Sequence, residues 1–388
     1  MRWPTLHEAP AMLTGFDGSI GADRQQSAPF VNLDKKRQPA DRPGSAAKLE
    51  PRGVALVTGG SSYVAGWTII ALLQAGYRVR ATLGSLAQEA EVRTALGRHV
   101  RTEDRLFFVA VDPSSDAGWS QAMSGADYVL HIASPLQGVR SARHMIAAAR
   151  ADTVRILATA REAGVRRVVM TSSVEAARPS RLVNDVLYAD ERVWTNAWNV
   201  TLGPHIRART LGEREAWAFM AQSKGSMSLT TLLPSLVLGP VLGGQDHESL
   251  EVVARLLRGQ VSSLPKVGFS IVDVRDLADL YIRAMVHPEA GGQRFIATGA
   301  FLWLDYMASL LRADLASHAK RVPRRKASSL ATYCAALFKP HLRPLLRELY
   351  RQPHYSNDKA LRVLGWRARR SSQILIDCGQ SLIHHGLV

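Results

Sequence analysis

Apolar positions along this chain fall into two alternating kinds of run. From residue 53 onward, short apolar stretches recur: "VALVTG", "RVRATL", "RLFFVAVD", "ADYVLHIAS", "VRRVVMTSS" and "SLTTLLPS". Runs of four to eight residues without polar alternation describe strands buried on both faces, as in a parallel sheet. Between them lie longer stretches with helical spacing. "WTIIALLQAGY" is closed by Gly76 as a C-terminal cap, and "AARADTVRILATAREAG" and "PHIRARTLGEREAW" follow. This alternation predicts an α/β fold on a doubly wound parallel sheet. After about Gly239 the rhythm becomes mixed, through "SLEVVARLLRG", "FSIVDVRDLADLYIRAM", "QRFIATG", "LWLDYMASLLRADL" and "SSQILIDCGQSLIHHG". A smaller C-terminal lobe, interleaved with the last strands of the sheet, is expected there.

The first fifty or so residues lack such rhythm and are rich in polar residues, Pro and Gly. Residues 1–52 are therefore expected to be a disordered leader. An over-extended gene start reads equally well. No apolar core follows the basic start, which argues against a signal peptide, and the acidic residues argue against a transit peptide.

Composition narrows the class. The 388 residues are 46% hydrophobic with a mean hydropathy of −0.06, and no apolar run reaches membrane-spanning length. Cys334 and Cys378 form neither a disulfide framework nor a metal-ligand spacing, so no metal is expected and a reducing cytoplasm fits. The net charge of +16 and pI near 10.3 raise nucleic acid as a partner. However, the arginines are scattered through helices, and the tightest cluster, "KRVPRRK" (Lys320 to Lys326), carries no recognised binding motif. Solvated surface is the better reading, with neither nucleic acid nor membrane as partner. Charge alone provides only non-specific attraction.

The stretch "VTGGSSYVAG" (Val57 to Gly66) lies between the first strand and the first helix. A turn in that context aims backbone N–H groups and the positive helix end at a pyrophosphate. Gly59 holds the first glycine of a G-x-x-G-x-x-G pattern, while Ser62 and Ala65 hold the other two. If position 62 required a positive φ, serine would cost about 1–2 kcal/mol there. At the end of the second strand, Gly84 and Ser85 stand where a carboxylate would bind the ribose hydroxyl of NAD, and Arg80 is the nearest cation. Both NADP and NAD remain open on this reading, with NADP favoured.

From about Gly53 to Val388 the chain resembles the extended short-chain dehydrogenases/reductases, within the NAD-dependent epimerase/dehydratase family. Dihydroflavonol 4-reductase, cinnamoyl-CoA reductase and related aldehyde reductases are the nearest in pattern. The resemblance is carried by "VTGGSSYVAG", "HIASP", "VVMTSS", "ADERVW", "LLPSLVLGP", "VDVRDLAD" and "SNDKALRVLGW". It implies a Rossmann-type dinucleotide-binding domain over 53–240 and a substrate lobe mainly over 241–388. It also implies hydride transfer between NADP or NAD and the carbonyl of a small apolar or aromatic substrate, in a cytoplasmic monomer or homodimer. Carried onto this sequence, the cofactor contacts would be Gly59, Ser62, Tyr63, Val64, Asp112, Ala133, Ser134 and Pro234, with Arg80 and Arg209 as cations. The catalytic serine falls on Ser173. The family's Tyr-x-x-x-Lys pair falls on His205 and Arg209, and the arginine that often holds an NADP 2′-phosphate falls on Gly84.

Those replacements change the chemistry. Histidine can serve as general acid only while protonated. An arginine one turn away opposes that protonation by like-charge repulsion, yet its guanidinium can still bond a ribose hydroxyl. Arg209 is also spaced to pair with Glu213 at i,i+4. Two readings stand: a reductase with His205 in the acid's role, or a nucleotide-binding protein that kept the fold and lost catalysis. His131 is expected to pack beneath the nucleotide loop, and Asp273 and Asp276 to start a helix and anchor the lobe.

Overall fold

The apolar runs do become strands of one parallel sheet. In a computed structural model of the chain these are β1 (Val54–Val57), β2 (Arg78–Leu83), β3 (Leu106–Ala110), β4 (Tyr128–His131), β5 (Arg167–Thr171), β8 (Ser228–Pro234) and β11 (Gln293–Ala297). Their order across the sheet is β11-β8-β5-β4-β1-β2-β3, and every neighbouring pair is parallel. The chain reverses its direction of growth between β1 and β4, the place where a doubly wound sheet opens a crevice at its carboxyl edge. The structure describes residues 52–133, 141–180, 182–183, 186–243, 248–330, 332–333 and 343–388. The expected leader lies, up to residue 51, outside them.

Helices cover both faces because the strands are apolar on both. Ala55, Val57 and Val169 point into a core shared with α1 (Tyr63–Gln74), α2 (Glu89–Gly97) and α7 (Val274–Val286). The alternate residues Leu56, Val168 and Met170 point the other way, toward α3 (Trp119–Met123), α4 (Ala142–Glu162) and α5 (Pro204–Gln222). Gly212 brings α4 and α5 close: a Cβ there would lie 3.5 Å from the Ala149 carbonyl.

The remaining elements form the lobe. Strands β9 (Leu236–Leu238), β10 (Gly268–Asp273) and β12 (Phe301–Trp303) make one three-stranded sheet. Strands β6 (Leu182–Val183), β7 (Val186–Ala189) and β13 (Pro353–Tyr355) make another. Helices α6 (Glu251–Leu257), α8 (Leu304–Leu315) and the final α11 (Ser371–His384) pack their apolar sides into the α1/α7 core, with α9 (Arg343–Leu346) and α10 (Asp358–Leu364) between them in sequence. The main sheet takes β11 from between β10 and β12, so its last strand and the lobe are interleaved in sequence. Among the described residues, no helix is long and apolar enough to cross a membrane.

Candidate functional site

The turn between β1 and α1 is shaped by two glycines. Gly59 has φ +67°, a left-handed conformation that a side chain rarely adopts, and a Cβ there would come 2.9 Å from the Ala133 Cβ. At Gly60 a Cβ would lie 2.8 Å from that of Ala81. The Gly59 N–H donates to Thr82 Oγ1 (3.0 Å), and the Ser62 N–H to the Gly59 carbonyl (2.8 Å). Ser62 itself has φ −82° and ψ 155°, ordinary extended backbone. The strain considered for serine therefore does not arise, because the left-handed position is 59. Ala65 is fully buried within the core cluster, so its methyl fits.

This cradle suits an anionic pyrophosphate. The first turn of α1 carries no acidic residue, and the Ser62 side chain makes no capping bond to the helix. Val64 is partly buried against the core, and Ala133 closes the turn from β4. Asp112 follows β3, fully exposed. Its Oδ1 accepts from the Ser114 hydroxyl (2.7 Å) and N–H (2.8 Å), which hold the carboxyl below its ordinary range. Pro234 is buried at the end of β8, opposite Ala297. Ser134 lies outside the described residues.

Two of the expected cofactor contacts point elsewhere. The Tyr63 ring is buried in the core below α1, and burial drives its hydroxyl pKa well up, so this side chain faces away from the crevice. The Arg80 guanidinium donates to the carbonyls of Ala122 (2.6 Å) and Ser124 (2.8 Å) at the end of α3, part-way down the sheet rather than at its carboxyl edge. Gly84 has open space around it, with nothing within 4 Å of an added Cβ.

Ser173 follows β5 at the carboxyl edge. It caps the short 3-10 helix Val174–Ala177, accepting from the Glu175 N–H at 3.2 Å. α5 descends beside this edge. Its second residue, His205, is exposed, and Arg209 one turn later lines a cavity with His131, Asp152, Thr153 and Thr171. Residues four apart share a helix face, so His205 and Arg209 lie on one side of α5. The cavity, about 30 Å³, has room for a water or two but not for a substrate.

Beneath the turn runs a buried polar chain that the sequence indicated only at His131. Thr58 Oγ1 accepts from the N–H groups of Ile132 and Ala133, both at 3.0 Å. With both lone pairs used, its proton goes to His131 Nδ1 (3.1 Å), and Nε2–H then faces Asp152 Oδ2 at 3.1 Å. His131 packs where expected, as a strut between the turn and α4. Asp152 gave no signal in sequence, being one polar residue in a helical run. A second hub surrounds Glu213 on α5, fully buried. Its carboxylate accepts from Ser172 Oγ (2.6 Å), Thr231 Oγ1 (2.8 Å) and Arg294 Nε (2.8 Å), so its oxygens are engaged by β5, β8 and β11. Arg294 also lies 3.6 Å over the Trp194 ring. Asp273 caps α7 through the Arg275 N–H (2.8 Å), and Asp276 accepts from the Arg369 N–H (2.8 Å); these are the structural roles expected of them.

Known proteins resemble this arrangement. The pattern of the NAD dependent epimerase/dehydratase family matches residues 55–297. Ketoreductase adrE of Penicillium roqueforti is 30% identical over 325 residues, covering 78% of this chain and 93% of its own. Dihydroflavonol 4-reductase of Zea mays is 29% identical over 277 residues, covering 69% and 75%. In fold, the yeast methylglyoxal/isovaleraldehyde reductase Gre2, whose structure was determined with NADPH, superposes with a TM-score of 0.71 at 22% identity, covering 86% of this chain and all of its own. With the turn, the sheet order and this match spanning most of the described sheet, the chain belongs to the NAD dependent epimerase/dehydratase family.

Proposed function

We propose that the protein is a nicotinamide-dependent reductase that converts the carbonyl of a small apolar or aromatic substrate to an alcohol. The observation that carries this reading is the juxtaposition of two features at one sheet edge. The Gly59 turn after β1 is shaped for a pyrophosphate, and Ser173 after β5, with the start of α5, stands two strands away across β4. The reduced dinucleotide, when bound, supplies the hydride. Gly59, Ser62 and the N–H groups at the start of α1 would hold its pyrophosphate, Asp112 after β3 would serve the adenine, and Ala133 and Pro234 would flank the cofactor. NADP is favoured over NAD, since no carboxylate stands at Gly84 or Ser85 to repel a 2′-phosphate. Reductase names among the relatives and the NADPH-bound Gre2 support the same cofactor class.

In this reading Ser173 Oγ holds the carbonyl oxygen, and the exposed His205 imidazolium gives its proton to the forming alkoxide. Solvent then reprotonates the ring. Arg209 stays charged throughout and orients a ribose hydroxyl from its place beside Thr171. The substrate is a small molecule, the oligomeric state a monomer or homodimer, and the setting the cytoplasm, consistent with the buried free thiol of Cys378. NADPH consumption with a carbonyl library at pH 5.5 and 7.5 tests this. Turnover that is higher at the lower pH is the outcome expected of general-acid catalysis by an imidazole. His205→Tyr combined with Arg209→Lys is expected to raise the rate at pH 7.5 by about 10²-fold or more, the scale of general-acid assistance. A double variant as inactive as the parent, with both binding NADPH, would instead favour a non-catalytic nucleotide-binding role.

A further inference from the structure

A second crevice, of about 410 Å³, opens in the lobe between β7, β12 and β13, at the size of a small-molecule site. Among the described residues lining it there is no Lys, Arg, Asp or Glu, although the protein carries a net charge of +16. Three aromatic rings stand on its walls, and each is fixed by a separate contact. Phe301 packs edge-on to Trp303, with ring centroids 4.9 Å apart, and lies over Gly268, where a Cβ would come 2.4 Å from its Cζ. Any side chain at 268 would displace the ring. His354 stacks on Tyr188 at 5.6 Å with the planes 21° apart. Tyr350 is held at both ends, its N–H donating to the Lys266 carbonyl (2.8 Å) and its hydroxyl pairing with Ser329 Oγ (2.7 Å).

Tyr350 also has φ +61°, a left-handed conformation that is costly for a bulky residue, while the residue remains 63% exposed. Strain of this kind persists where surrounding contacts over-determine it, and it concentrates at ligand clamps. Here it presents an aromatic face to the crevice instead of burying it. Gln352 and His354 add hydrogen-bonding groups to its wall. We propose that this crevice is a binding site for a planar, uncharged aromatic molecule bearing a hydroxyl or carbonyl group, its ring placed among Phe301, Tyr350 and His354. The site is separate from the nucleotide turn, but the segment carrying it is clasped to the turn that begins at Ser173. Arg178 pairs with Glu348 (2.6 Å), and Arg351 donates to the Pro179 carbonyl (3.1 Å).

The test is fluorescence titration of the full chain with 2-naphthol and with 2-naphthalenesulfonate, alongside NADPH titration. One saturable 2-naphthol site is expected. Tyr350→Gly keeps the left-handed backbone without strain and removes the ring, and it should weaken 2-naphthol binding at least tenfold. Phe301→Ala should act in the same direction. Both variants should keep the parent's NADPH affinity. Absence of saturable binding, a Tyr350→Gly protein that binds 2-naphthol like the parent, or tighter binding of the sulfonate would overturn the proposal; the last would mark attraction to the cationic surface. None of these outcomes bears on carbonyl reduction, which NADPH consumption reads separately.

Discussion

The Gly59 turn and the first two turns of α5 lie at the same edge of the same sheet, yet they respond differently to substitution. The turn is built from backbone. Its shape rests on one left-handed glycine and on close approaches to Ala81 and Ala133, so a serine at 62 and an alanine at 65 leave it intact. The start of α5 works through side-chain chemistry. In the proposed reading, His205 and Arg209, at the positions the resemblance gives to a Tyr-x-x-x-Lys pair, keep the helix and its place but change which group would release the proton. Binding sites made of peptide groups tolerate sequence drift that proton-transfer sites do not.

Further down, α5 is pinned by its most deeply buried charge, which offers the most forceful way to separate placement from chemistry. Replacing Glu213 with Ala strands Arg294, itself 7% exposed, without its carboxylate. A loss of about 3–5 kcal/mol in urea unfolding is expected, the scale for breaking a buried ion pair. A loss under about 1 kcal/mol would mean that the helix is held by packing alone.

The turn itself should respond next most strongly. Gly59→Ala adds a methyl in a left-handed conformation, worth about 1–2 kcal/mol before the contact with Ala133 is counted. NADPH affinity measured by calorimetry should drop at least tenfold. Ser62→Gly is the contrast: with φ already at −82° it changes no backbone strain and removes only the hydroxyl, so its loss of affinity should be several-fold smaller than that of Gly59→Ala. Were the two variants to behave alike, the contrast between backbone and side chain would collapse.

A smaller effect is expected at Gly84, where open space lets an arginine extend. Gly84→Arg should improve NADPH relative to NADH by about fivefold, corresponding to an exposed ion pair of about 1 kcal/mol. Titration of both nucleotides against the parent measures it, and an unchanged ratio would place the 2′-phosphate away from this strand end.

The smallest effect concerns Glu175, two residues after Ser173, whose carboxyl burial pushes above its ordinary value despite the Arg178 guanidinium at 3.2 Å. A carboxyl with a raised folded pKa gives stability that is complete below the unfolded value, near 4.5. That stability is lost as pH rises through the folded value. Glu175→Gln removes this dependence, so its melting temperature relative to the parent should rise between pH 4 and pH 8. A flat difference would show that the carboxyl ionises in the folded protein as it does in the unfolded chain.

What the chain's own pattern determined was the sheet and the position of the turn. Buried parallel strands must be apolar on both faces, and "VALVTG" before a helical run can only place its glycines at a strand-to-helix junction. Ser173, His205 and Arg209 are pointed to by the family resemblance rather than by the pattern, and they lie just after β5 and in the first two turns of α5. The pattern did not determine where long side chains go. Arg80 and Tyr63 sit next to the crevice in sequence, but one reaches the end of α3 and the other turns into the core. Nor did it join Asp152 to His131, Glu213 to Arg294, or Tyr350 to Phe301. Those pairs lie 21 to 81 residues apart, and only the packing of the folded elements brings their side chains together.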